Sequence, residues 1–286
     1  AGVVYNSDFF GKINLGLRHI SDKYSLENFQ INEYIDSTQK INSKTTFITG
    51  EYLKTFSKVE LNVKTENYVF GDNKSSIFSS SVIVKLKNNN NLTANYKLLS
   101  SAPNYNFLLY RSNYENYNWN NQFDNSITNS ISLGLELREI IDLNLDLISV
   151  RKHIQFEKII NDLADSSEYS ILPVQHNGNL DILKLRLARK INFGKFSIDS
   201  KLLFQKSLSD DIINIPQIVS RNTFYFSTEM FKKALFLQTG FGVKIFSKFY
   251  MNGYDPLLSE LYIQNEKEIG EFPIIDFFIN AKIQQT

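Results

Sequence analysis

The residues of this chain that could do chemistry are polar and ionisable side chains placed at every second position of apolar stretches. In 234–246, Gln238 and Lys244 alternate with leucine, phenylalanine and valine. In a β-strand this spacing puts polar side chains on one face and apolar side chains on the other. A face that carries charges in this way can attract and orient small ions. The candidates for this role are Lys64, Lys85, Lys97, Lys184, Arg186, Asp199, Lys201, Gln238, Lys244, Asp276 and Lys282.

Catalytic and metal-binding patterns are absent from the sequence. The three histidines are His19, His153 and His176, and none has a ligand partner at metal-binding spacing. We interpret Asp210-Asp211, and Glu266 with Glu268, as solvated loop charges rather than calcium ligands. Gly240-Phe-Gly242 lies inside a strand pattern, where small residues ease packing, and is no phosphate loop. A Ser–His–Asp hydrolase stays an alternative without a motif. We therefore expect a non-enzymatic protein with no catalytic residue, metal or cofactor.

An Asn- and Tyr-rich segment, 103–119, is the most unusual stretch of the chain. Its Tyr114, Tyr117 and Trp119 are candidate loop contacts for a ligand, because aromatic rings can stack on sugars while asparagines hydrogen-bond. The alternative is that these rings anchor at a membrane interface or pack a folded-in loop. Interfacial aromatic residues are common in membrane barrels, so the alternative is favoured.

The strands that must position these residues are long. The alternation in 234–246 continues for about a dozen residues, whereas strands usually have about five or six and a bilayer-crossing strand needs about nine to eleven. Comparable alternation recurs along the chain and predicts roughly twelve strands. A slip in the pattern at Ile148-Ser149-Val150 predicts a β-bulge.

The connections between the predicted strands alternate between short and long. The short ones lie near 55–58, 88–91, 138–142, 189–195 and 231–233. The long ones lie near 21–44, 71–79, 100–125, 157–179, 207–217 and 247–273. Outer-membrane barrels have short turns at one end and longer loops at the other. We predict an all-β fold, an up-and-down antiparallel transmembrane β-barrel forming one domain over residues 1–286, with a soluble β-sandwich as the alternative.

Composition is consistent with this fold. The chain has 286 residues, 42% of them hydrophobic, no cysteine and a net charge of +1. No apolar run approaches the ~18 residues of a membrane helix, and barrel strands give a much weaker hydropathy signal. The small net charge argues against nucleic acid as a partner. The last residues, 284–286, are not the aromatic strand that usually ends such barrels, so we expect a fragment that forms an incomplete barrel.

Several stretches of the second half carry a family likeness. The run from Ile215 to Gly240 resembles the putative-porin family of Bacteroidota-type outer membranes, as do Tyr254-Asp-Pro256, Ile269–Pro273 and Asp276–Lys282. The Asn- and Tyr-rich segment ending at Trp119 is also similar. The resemblance implies a β-barrel of the bacterial outer membrane, exported through the periplasm, with unknown cargo. It also implies a longer protein and no catalytic residues.

These observations favour a passive diffusion channel for small polar solutes. The inward-facing charges are mainly basic, which predicts a weak anion preference, unless these residues pair across strands. The alternative is a receptor-like or assembly-partner barrel that binds ligands through its long outer loops. The expected partners are outer-membrane lipid, small polar solutes and other outer-membrane proteins.

Overall fold

Alternating polar and apolar residues build a large antiparallel sheet in the computed structural model. The model describes residues 2–25, 30–31, 34–35, 40–112, 114, 116–138, 140–160, 169–209 and 212–283. The sheet has thirteen strands, and each pairs with its neighbours along the chain. They are β1 (Gly2–Ser7), β2 (Gly11–Ser25), β3 (Lys40–Phe56), β4 (Val59–Gly71), β5 (Ser76–Lys85), β6 (Asn91–Ser101), β7 (Ser126–Leu137), β8 (Ile141–Arg151), β9 (Asn179–Phe193), β10 (Phe196–Ser207), β11 (Ile218–Met230), β12 (Leu235–Phe246) and β13 (Ile274–Ile283).

Shorter elements lie in the connections. The helical ones are α1 (Tyr105–Leu108) and a 3-10 turn at Lys87–Asn89. The additional strands are Gln30–Ile31, Tyr34–Ile35, Leu109–Tyr110, Trp119–Asn120, Ile154–Ile160, Tyr169–Gln175, Phe249–Tyr250, Gly253–Asp255, Glu260–Ile263 and Glu268–Ile269. Within the described parts of the chain, no helix has the length and apolar character needed to cross a membrane.

The up-and-down antiparallel architecture confirms the predicted fold class. The sheet is not closed, because β1 and β13 each pair on one side only. The sequence pattern missed β1, since its Gly-Val-Val-Tyr start has two adjacent apolar residues instead of an alternation.

The short and long connections sort to opposite ends of the sheet, as predicted. The short ones are 8–10, 57–58, 86–90, 138–140, 194–195 and 231–234. The other end carries 26–39, 72–75, 102–125, 152–178, 208–217 and 247–273. The expectation of a long loop near 71–79 was wrong, because β4 and β5 extend almost to each other and leave only 72–75. The pair Asp210-Asp211 and the last residues, 284–286, lie outside the described residues.

The two faces of the sheet differ in exposure. Large apolar side chains of one face, the apolar face, are exposed: Leu15 is 57%, Ile131 47% and Phe277 82% exposed. The buried residues of the thirteen strands all lie on the other face, the polar face, as their register shows. They are Ser43, Thr45, Phe47, Asp146, Leu180, Ser197 and Gln205. A sheet that exposes its apolar face is inverted relative to a soluble protein and suits a lipid environment.

Exposed apolar residues also form a belt at the short-turn end. Each short turn, or the strand residue beside it, carries one or two of them. They are Phe9, Phe10, Phe56, Leu86, Ile140, Phe193, Phe196 and Phe231. Aromatic residues in this position are typical of a membrane–water interface.

The bulge predicted at Ile148-Ser149-Val150 was wrong. β8 pairs with both neighbours there without interruption. Ile148 and Val150 lie on the polar face, where Val150 is opposite the buried Leu180. The apolar run reflects burial at the loop end and not a change of register. The irregularity lies instead between Thr46 and Phe47 of β3, in its pairing with β4.

The glycines of β12 test how tightly the sheet is packed. A Cβ on Gly240 would overlap the carbonyl oxygen of Phe224, whereas a Cβ on Gly242 would meet only Thr223 Oγ1 at 3.8 Å. We expect Gly240→Ala to destabilise the folded protein by about 1–3 kcal/mol, since inserted atoms force the backbone to shift. Gly242→Ala is the matched control. Urea unfolding of the full-length protein in detergent, followed by heat-modifiable gel mobility, measures the difference. Equal midpoints for the two variants would contradict the packing argument.

Candidate functional site

The predicted lumen-lining residues share one face of the sheet. The register links Glu51 to Lys64, Lys64 to Ser79 and Ser79 to Lys97 across β3 to β6. The same relation continues through β7 to β13, so all the candidates lie on the polar face. They are Lys64, Lys85, Lys97, Lys184, Arg186, Asp199, Lys201, Gln238, Lys244, Asp276 and Lys282.

Several charges of the polar face are paired between strands. Lys64 Nζ lies 2.9 Å from Glu51 Oε1, and Arg186 Nη2 lies 2.9 Å from the buried Asp146 carboxylate. Lys85 pairs with Glu60, and Arg18 pairs with Glu66. The cations of β2 to β9 that have acidic partners are therefore locally neutralised. Such pairing lowers the net charge of the polar face and therefore weakens ion selectivity.

Other charges of the polar face have no such partner. Among the described residues, no acidic oxygen lies within ion-pair distance of Lys97, Lys184, Lys201, Lys244 or Lys282. Sequence reasoning missed Arg221, which lies opposite both Lys201 and Lys244. The signal was present, because Arg221, Thr223 and Tyr225 continue the alternation of β11.

The connections 102–125, 152–178 and 247–273 pack together at the long-loop end, and we call their described residues the loop module. Its core holds the buried residues Trp119, Phe156 and Ile171. The Trp119 ring stacks on Tyr110 with a centroid distance of 4.9 Å, and its Nε1 donates to the Asn106 carbonyl at 2.9 Å. Trp119 is thus covered by protein and does not present its faces to a ligand.

Tyr117 and Tyr114 differ in their surroundings. The Tyr117 hydroxyl donates to Asp255 Oδ2 at 2.7 Å, and Asp255 is buried. Burial, and then the Asp255 carboxylate, raise the pKa of Tyr117 far above its usual range. Tyr114 is 57% exposed, so it remains available as a loop contact.

The loop module crosses the polar face. Tyr105 stacks on Tyr24 of β2, at 5.4 Å between centroids, and its hydroxyl donates to Asp22 Oδ2 at 3.3 Å. The next residue, Asn106, donates to Glu260 in the connection between β12 and β13. One segment therefore contacts residues near both edges of the sheet, at β2 and at the connection between β12 and β13. These contacts require the sheet to curve with its polar face inward. These contacts narrow the opening of the curved sheet at its long-loop end.

A polar cluster joins the two strands of the 152–178 connection. His176 Nε2 lies 2.6 Å from Glu157 Oε1, and His153 Nε2 lies 3.2 Å from Gln155 Oε1. Gln155 also donates to the Ile212 carbonyl at 2.9 Å. Burial lowers the pKa of His153 below its ordinary value. Among the described residues, no group of histidines and acids has the geometry of a metal site.

A curved antiparallel sheet with an exposed apolar face, a charged inner face and loops sorted to one end is an outer-membrane β-barrel wall. The sequence matches the family described as "Putative porin" over residues 1–286. The chain therefore belongs to this family and to the bacterial outer membrane. A comparison with curated proteins finds no match.

Solved structures with the same fold are longer chains. A siderophore receptor, PirA, from Acinetobacter baumannii is 10% identical to this chain with a TM-score of 0.61. The alignment covers 100% of this chain and 47% of the PirA chain. A ferric enterobactin receptor, PfeA, from Pseudomonas aeruginosa is 10% identical with a TM-score of 0.63. The alignment covers 100% of this chain and 46% of the PfeA chain. The copper transporter OprC is 12% identical with a TM-score of 0.64, covering 100% and 48%. The chain thus spans under half the length of these proteins, and the likeness concerns the fold alone.

The hydrogen bond between Tyr117 and Asp255 holds two connections of the loop module together. Asp255 Oδ1 accepts from the amides of Leu257 and Leu258, so Tyr117→Phe removes the donor to Oδ2 alone. Because the carboxylate is buried, we expect a loss of about 1–3 kcal/mol of local stability. Hydrogen exchange of 253–263 in the full-length protein measures this loss. Tyr114→Phe, at an exposed ring, is the control, and equal exchange in both variants would contradict the assignment.

The half-buried His153 predicts a pH dependence of the loop module. The pKa of His153 in the folded protein lies below the unfolded value of about 6.5. The stabilisation is therefore present above the unfolded pKa and is lost as the pH falls from there through the folded pKa. We expect faster hydrogen exchange in 154–160 and 169–175 at about pH 5 than at about pH 7.5, after correction for intrinsic rates. His153→Gln should flatten this change. An unchanged profile in this variant would contradict the assignment of the dependence to His153.

Proposed function

We propose that the chain forms the wall of a passive diffusion channel for small polar solutes in the outer membrane. The observation that supports this best is the division of the sheet into an exposed apolar face and a charged polar face. Lipid would cover the first face, and solutes would pass along the second. In this proposal residues 1–286 belong to a single barrel domain that has no catalytic step, cofactor or nucleic-acid partner.

The proposed channel prefers anions weakly. Cations of the polar face without an acidic partner, such as Lys97 and Lys184, add a positive potential to the lumen. The ion pairs of Lys64, Lys85 and Arg186 reduce the excess. Ionic screening shortens the reach of the remaining charges to about 8 Å at physiological salt. The preference is therefore modest and falls as the salt concentration rises.

A receptor-like or assembly role is the second candidate, and the loop module favours it. The module has its own apolar core, is attached to β2 through Tyr24, and carries the exposed Tyr114. A loop surface supported by its own apolar core is suited to ligand or partner binding, whereas a simple pore does not need one. In this alternative the loop module closes the lumen, and a ligand or partner protein binds its outer side.

Single-channel recording of the full-length protein, extracted from outer membrane and reconstituted in a planar bilayer, distinguishes these roles. We expect stepwise currents whose size follows the salt concentration, because solvated ions would cross along the polar face. In a salt gradient the reversal potential should show a small anion preference, which decreases at high salt. Bilayers treated with detergent alone are the control.

A folded, heat-modifiable protein that carries no current would overturn the channel proposal and favour the receptor-like role. Currents with a reversal potential of zero would preserve the channel and remove its anion preference.

A further inference from the structure

We propose that Lys201, Arg221 and Lys244 form a binding site for small oxyanions, and we call these three residues the cationic row. This inference rests on the proposed channel and names a class of solute that the channel would bind. The register places Lys201 of β10 directly opposite Arg221 of β11, and Arg221 directly opposite Lys244 of β12. Neighbouring strands are about 4.8 Å apart, so the backbone positions of the three cationic residues lie within about 10 Å of one another.

Like charges directly opposite each other destabilise a sheet. Elsewhere on the polar face, Lys64, Lys85 and Arg186 each have an acidic partner on a neighbouring strand. Within the described residues, the cationic row has no ion pair or side-chain hydrogen bond, and its members are all exposed on the polar face. The row therefore keeps an electrostatic cost that the ion-paired cations of the face avoid, and a bound anion would reduce that cost.

The surroundings of the row can admit a ligand. A hollow of about 150 Å³ lies between Arg221, Thr223, Gly242 and Lys244. Gly242 leaves the space beside Thr223 open, because it has no side chain. The Thr223 hydroxyl and the Arg221 guanidinium are suitable donors to a tetrahedral oxyanion, since guanidinium can bind two oxygens at once.

Two acidic residues limit the strength of this site. Asp199 and Asp276 lie at the two ends of the neighbouring row, with Thr223 and Gly242 between them. Asp276 also lines the hollow. These carboxylates lower the positive potential without pairing with the cationic row. The site would therefore bind anions weakly and release them readily, as conduction requires.

Inorganic phosphate is the probe for this site, added to the full-length protein during recording of chloride currents. We expect phosphate to reduce the current in the wild type. Arg221→Gln should raise the half-blocking concentration about fivefold to tenfold, the cost of one lost charge-assisted contact. Asp276→Asn should lower it, because a repulsive charge is removed. Lys232→Gln changes the net charge equally but lies in the turn 231–234, away from the hollow, and is the control.

The outcomes separate the site from the channel. Equal phosphate block in the wild type and Arg221→Gln, or an equal shift in Lys232→Gln, would overturn the cationic row while leaving the channel intact. If the protein carries no current, thermal unfolding in detergent with added phosphate replaces the recording. Stabilisation that disappears in Arg221→Gln would then support the row although the channel proposal fails, and stabilisation equal in both proteins would overturn the row.

Discussion

A backbone that crosses hydrocarbon must satisfy all its hydrogen bonds within the protein, and the rest of this structure depends on that constraint. Strands β2 to β12 each pair on both sides, and this pairing leaves few backbone groups open along the wall. Pairing with the next strand in the chain also requires turns at alternate ends. The two-residue period of a strand then decides which side chain meets lipid and which meets the lumen.

Within this frame, charge distinguishes one part of the polar face from another. Removing a charged group from water is costly unless it finds a partner. Asp146 is buried and meets this condition through Arg186. The exposed cations of β10 to β12 have no acidic partner, and they keep their hydration or a soluble counter-ion instead. The polar face is therefore electrostatically uneven, with ion-paired cations at some positions and cations without an acidic partner at others.

The sequence predicted the sheet well wherever alternation was uninterrupted. β12 was predicted as 234–246 and runs over Leu235–Phe246. The prediction failed where one strand meets different surroundings along its length. Ile148 and Val150 are apolar although they lie on the polar face, since that end of the face is covered. The loop module was beyond sequence reasoning, because Trp119, Phe156 and Ile171 come from separate connections and no local pattern brings them together.

The contacts of the loop module also set an order of assembly. Tyr105 must meet Tyr24 of β2, and Asn106 must meet Glu260, which is 154 residues further along the chain. Contacts over such separations become favourable only after the intervening chain has been ordered. The module can therefore close only when β3 to β12 have taken their places and the sheet has curved. Until then, Trp119 can contact Tyr110 of its own connection but not Phe156 of the next one, so closure of the module marks completion of the wall.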